Sequence, residues 1–155
     1  MIIIKTDVNV NGISAKDVCN FMLNCTDQDY QDWWKGTHLA FHTITRFPNE
    51  IGNLVYFDEY VGKRRLRFEA IVTKFIPGKE IVWQMKKAIL LPAWLVLEFE
   101  DHDRGVRISH TLKAGFSGIG KIFDPLLRIY LSKEFEQEMN EHARIEFVKL
   151  AHAAK

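Results

Sequence analysis

The chain has 155 residues, 47% hydrophobic and 26% charged, close to the globular norm and enough for one domain (1–155) with a sizeable core. Its 21 Lys and Arg against 20 Asp and Glu leave a net charge of +1, which gives no support to nucleic acid or an anionic membrane as a partner. No apolar run approaches the ~20 residues of a membrane span, the opening Met-Ile-Ile-Ile-Lys-Thr-Asp turns polar too soon for a signal peptide, and Cys19 and Cys25 make no disulfide framework, so a reduced, cytoplasmic protein is expected.

Residues 2–10 read as a β-branched strand closed by Asn11-Gly12. Ser14 with Asp17, then Thr26 with Asp29, are capping-box signals that open two short helices, the second ended by Gly36. Strands are expected at 39–47, 54–61, 66–75 and 81–86, punctuated by Pro48-Asn49, Gly62 and Pro77-Gly78. Two more, at 94–100 and 106–114, flank a hairpin signal at Asp101 to Gly105. A loop over 115–120 precedes a helix expected from about 121 to 153, with Pro125 in its first turn or kinking it. Sequential strands with short turns favour an antiparallel meander of about seven strands. An α+β architecture, a curved sheet wrapped around the long C-terminal helix, covers that helix's hydrophobic stripe.

Strand alternation sorts the interior. Glu59 shares a face with Val55, Phe57 and Val61, whereas Glu69 sits with Arg65 and Arg67 on the solvent face. Trp83 and Met85 line the interior, as does His110, which alternates inward with Ile108 and Leu112. Trp33 and Trp34 read as core or cavity wall. On the last helix His142 and Glu146 lie about 40° apart, in the stripe that carries Leu131, Phe135 and Met139. Two ionisable groups in an apolar stripe need compensation, which a metal or an internal cavity supplies. The same spacing also suits a simple i, i+4 pair. His38 and Glu59 would complete a two-His, two-carboxylate set suited to Zn²⁺, with Fe²⁺ or Mn²⁺ open by ligand type and His42 also available near His38.

The order of elements resembles the helix-grip, START-like superfamily (SRPBCC) that includes polyketide cyclases, over nearly the whole chain. A narrower resemblance, to the zinc-dependent diacetylphloroglucinol hydrolase group, rests on Tyr30-Gln31-Asp32-Trp33 followed by His38, on Phe57-Asp58-Glu59-Tyr60-Val61-Gly62, and on His142 with Glu146. It implies zinc held by His38, Glu59, His142 and Glu146, with Tyr30 as the phenol beside the site. The activity it implies is hydrolysis of a carbon–carbon bond next to an aryl ketone. The chain departs from that group in its shorter length, in hydrophobes such as Phe41 where a polar residue is expected, and in a second substrate tyrosine that Tyr56, Tyr60 or Tyr130 could each supply.

Tyr30 and His110 are the residues expected to pass protons or hydrogen-bond a substrate. Trp83, Met85, Leu97, Phe99, Phe135 and Met139 are expected to wall a pocket for a hydrophobic, aromatic or polyketide-like small molecule. A metal-free ligand carrier and a polyketide cyclase-like protein use the same cavity without the four-ligand set, and a homodimer stays open.

Overall fold

The computed structural model describes residues 1–154. Strand β1 (Ile2–Asn11) leads into helices α1 (Ala15–Asn24) and α2 (Asp27–Trp33). Strands β2 (His38–Thr45), β3 (Leu54–Val61), β4 (Arg64–Ile76), β5 (Glu80–Lys86), β6 (Leu90–His102) and β7 (Gly105–Ala114) follow. A 3₁₀ turn (Gly118–Phe123), α3 (Asp124–Tyr130) and α4 (Lys133–Ala153) close the chain.

The seven strands make one antiparallel sheet in the order β1-β7-β6-β5-β4-β3-β2. Alternation is cleanest in β1, where Ile2, Ile4, Thr6, Val8 and Val10 point inward. Register shifts in β2, β4 and β5 bend the sheet around α4. Ser14 and Thr26 cap α1 and α2 as expected, each with its reciprocal aspartate.

One expectation is corrected. The C-terminal helix is not continuous from residue 121: α3 ends at Leu131, whose φ −93°, ψ 60° leave the helical region, and Ser132 restarts the chain by accepting from the Phe135 N–H at 3.2 Å. Pro125 sits in the first turn of α3, where its missing N–H costs nothing. Leu131 is therefore a helix terminator, yet still buried beside Phe135 and Met139.

Two hydrophobic clusters fill the interior. One gathers β1, α1, α2, the sheet centre, and Ala143, Phe147 and Leu150 of α4. The other joins Ile2, Ile4, Val61 and Leu112 to Leu131, Phe135 and Met139. His142 sits on α4 between the two. No described helix is long and apolar enough to cross a membrane.

Candidate metal centre

The antiparallel register pairs His38 with Glu59 across β2 and β3. The strand β2 begins at His38 rather than at residue 39, so this histidine belongs to the sheet and not to the preceding loop. Helix α4 crosses over them and lowers His142 and Glu146, one turn apart, onto the same point. One donor atom from each of the four residues lies within 4.8 Å of all the others.

His38 Nε2 is 3.3 Å from Glu146 Oε1 and 3.8 Å from Glu59 Oε2. His142 Nε2 is 3.2 Å from Glu59 Oε2 and 3.8 Å from Glu146 Oε2. A tetrahedral ion with bonds of ~2.0–2.2 Å sets its ligand atoms about 3.3–3.6 Å apart, so these spacings suit one small cation.

Both histidines turn a ring nitrogen toward the carboxylates. His38 Nδ1 lies 3.1 Å from the Tyr30 backbone oxygen. A carbonyl only accepts, so Nδ1 carries a proton, and Nε2 is the nitrogen that faces Glu59 and Glu146. Nε2 of both His38 and His142 is buried without a hydrogen bond. The 3.2 Å approach of His142 to Glu59 is an electrostatic contact whose angles are not those of a hydrogen bond. Glu146 is buried and Glu59 nearly so, and two carboxylates facing two histidines this far from solvent need a compensating positive charge, from protons on the rings or from a cation. The donor set and the orphaned nitrogens fit a divalent cation.

Aromatic side chains of α2 hold this geometry. Tyr30 stacks on His38 with centroids 3.8 Å apart, and its hydroxyl donates to Glu59 Oε2 at 2.8 Å. The Trp33 indole N–H donates to the Glu146 backbone oxygen at 2.7 Å. Trp34 packs on the His142 ring at 4.8 Å. Both tryptophans thus support the four residues, Trp33 from the core and Trp34 from the wall of an outer cleft, and their closeness to His38 along the chain is the sequence signal for that role.

Electrostatics follow from burial. Burial, then the charge of Glu59, drives the Tyr30 phenol well above its ordinary range, so it stays protonated. Burial pushes the Glu59 carboxyl up, but His142, His38 and the Tyr30 hydroxyl outweigh it and bring it below its ordinary value. Burial works to lower His142, and its two glutamates reverse the sign, leaving it raised. Burial lowers His110, which stays neutral.

An enclosed cavity of about 40 Å³ lies in front of the cluster, with Tyr30, Glu59, His110, His142 and Glu146 on its polar side. Met85, Leu97 and Met139 line it, with Met22, Leu66, Phe68 and Leu112. Trp83, Phe99 and Phe135 do not reach it: Trp83 sits edge-on to Phe57 in the core, and Phe135 packs under Arg64. Such a volume holds a few waters, whereas an organic ligand needs ~300 Å³ or more, so these flexible side chains must move to admit one. A second, more open cleft of about 270 Å³ reaches His142 from outside, between Trp34, Tyr60, Glu138 and Glu141. A depression of about 640 Å³ around Lys79, Glu98 and Arg107 is open charged surface that contains none of the four residues.

The remaining residues singled out from the sequence lie away from the centre. Glu69 faces Lys86 at 3.3 Å, and His42 pairs with Asp27 at 2.7 Å beside Tyr56. Tyr60 lines the outer cleft and Tyr130 lies exposed on α3, so Tyr30 supplies the phenol of the enclosed cavity. Phe41 is buried, stacked on Phe57 and edge-on to Tyr30. Arg65 pairs with Asp58 at 2.8 Å, which explains why an outer-face aspartate is buried.

No protein-family model matches the chain, and comparison of its sequence with characterised proteins gives no match. Solved structures share its fold. A protein of Thermus thermophilus, TTHA0849, superposes with a TM-score of 0.69 at 12% identity, over 99% of this chain and 97% of that one. The Aha1 dimer of Colwellia psychrerythraea gives 0.54 at 16% identity, over 96% and 99%. The di-domain ARO/CYC protein StfQ of the steffimycin biosynthetic pathway gives 0.57 at 15% identity, over 98% of this chain and 52% of that one. At these identities the likeness is one of fold, and the fold is the helix-grip, polyketide cyclase-like one that the order of elements resembles.

Proposed function

We propose that His38, Glu59, His142 and Glu146 hold a zinc ion, and that the chain is a hydrolase that cleaves a carbon–carbon bond next to a ketone in an aromatic or polyketide-like molecule. The observation that carries this reading is the pair of buried, unpartnered histidine nitrogens aimed at two carboxylates beside a cavity. Bound there, the ion supplies Lewis acidity, which polarises a carbonyl and acidifies water.

The residues of the chain supply the rest. Tyr30 keeps its proton at the edge of the cavity, where its hydroxyl can accept from a substrate hydroxyl while donating to Glu59, or turn from Glu59 to hold a substrate oxygen. His110 is neutral, with an unpartnered Nδ1, and can take a proton from water or return one to the departing carbon. Water adds across the bond: hydroxyl to the acyl carbon, which leaves as an acid, and a proton to the other carbon. Met85, Leu97, Phe68 and Met139 exclude solvent and favour an apolar substrate. Incubation of the zinc-loaded protein with acylated phenols, followed by mass spectrometry for the released acid, tests the reading. No acid from any acylated phenol, with zinc bound, contradicts it.

A second reading draws on the shared fold of the ARO/CYC protein and on His110: a cyclase-like protein in which His110 and Tyr30 act without metal. It predicts turnover that chelation leaves unchanged.

A further inference from the structure

The chain-wide charge balance conceals a local segregation. Adjacent strands are antiparallel, so the β3–β4 turn, the β5–β6 turn and the end of β7 lie at one end of the sheet. The 3₁₀ turn and α3 stay at that end. The Gly115 N–H donates to the Pro92 carbonyl at 2.9 Å, Leu127 packs into the cluster that holds Met85 and Ala93, and Arg64 donates to the Tyr130 carbonyl at 2.7 Å.

This segment is amphipathic with its broader apolar stripe outward. Leu127 and Leu131 turn to the protein, while Ile119, Ile122, Leu126 and Ile129, spaced three, four and three apart, are 88%, 69%, 63% and 75% exposed. Ile89 and Leu90, at the β5–β6 turn, are exposed at the same end. Apolar side chains this exposed project from the surface and mark a contact with something else.

The charges between them are positive. Lys87, Lys121 and Arg128 are exposed, with no ion pair among the described residues. Asp124 is the acid of residues 115–131, and it is occupied, accepting from the Phe116 N–H at 2.9 Å and facing the Met1 amino group at 4.0 Å. Exposed acids resume at Glu134, on α4.

We propose that this end docks on an anionic lipid bilayer. Ile119, Ile122, Leu126 and Ile129 enter the headgroup region with the β5–β6 turn, and Lys87, Lys121 and Arg128 meet the lipid charges. A second copy fits less well, because a two-fold contact sets the same cations against one another. The docked end also abuts the cavity, since Leu127 packs into the cluster of Leu66 and Met85, both of which line it. An apolar substrate held in lipid thus has a short path inward; this last point rests on the proposed function, while the docking does not.

Co-sedimentation of the full chain with phosphatidylcholine vesicles, plain or with roughly 30% phosphatidylserine, tests the proposal. The expected result is binding to the anionic vesicles that weakens about tenfold or more on the plain ones and in added salt. Ile122→Asp with Ile129→Asp, and separately Lys121→Glu with Arg128→Glu, each lower it by about tenfold while melting temperature stays as in the parent. The single Ile129→Asp serves if the double variant does not fold. Absence of binding to either vesicle, or binding that the variants leave unchanged, overturns the proposal. So does a concentration-dependent dimer in ultracentrifugation that Ile122→Asp with Ile129→Asp dissociates, which assigns the stripe to a second copy.

Discussion

The indole N–H of Trp33 donates to the backbone oxygen of Glu146 at 2.7 Å, tying the end of α2 to the turn of α4 that carries two of the four converging side chains. Trp33 is buried, and the Glu146 carbonyl it reaches lies inside α4, so that oxygen keeps its helical partner when the indole is lost. Trp33→Phe is expected to cost about 1 kcal/mol of stability through the lost hydrogen bond and to loosen zinc binding by about tenfold or more through misplacement of Glu146. Urea melts and competition with a zinc chelator measure the two effects.

Tyr30 acts on Glu59 from the other side. Its hydroxyl donates to a carboxylate that is nearly buried, so Tyr30→Phe should cost about 2 kcal/mol while zinc stays bound, because the four ligands remain. Turnover of a substrate should fall by about a hundredfold. Tyr30→Phe turnover equal to the parent's removes this residue from the chemistry.

Zinc is expected to stabilise the chain by mass action. At about a thousandfold above the dissociation constant the gain is about 4 kcal/mol, or roughly 10 °C in melting temperature. Calorimetry with and without chelator measures it. Equal melting temperatures would show that the folded chain does not prefer the ion.

His110 supplies a pH dependence of known sign. Burial lowers its pKa below the 6.5 of the unfolded chain, so between the two values the unfolded chain binds more protons. Its contribution is complete above 6.5 and is lost as pH falls below it. His142 is raised and works in the opposite sense in the metal-free protein, so the difference between parent and His110→Leu isolates the effect. His110→Leu should lose less stability than the parent between pH 7.5 and about 5.5, read from paired urea melts.

How much of this is legible in the sequence varies with the kind of signal. Helical spacing places His142 and Glu146 on one face, and strand parity turns Glu59 inward and Glu69 outward, because both periodicities are local. Convergence is not local. His38 reaches Glu59 through the pairing of β2 with β3, and in the sequence its residue type and a family resemblance point to it, not a local periodicity. Parity also names a face without saying where along the sheet a side chain falls, which is why Met85 lines the cavity and Trp83 does not. The break at Leu131 is hidden because Ser132 restarts the helix without a glycine or proline to mark it. Net charge averages over the surface and so hides the cations of α3 and the β5–β6 turn.

The central claim is that one divalent ion sits among His38, Glu59, His142 and Glu146. Elemental analysis of the chain, purified without chelators or a metal-affinity tag and dialysed against zinc-containing and then zinc-free buffer, tests it most directly. The prediction is about one zinc per chain in the parent and far less in His142→Ala and Glu146→Gln, both still folded by circular dichroism. A folded parent that retains no zinc, or variants that retain as much as the parent, contradicts it.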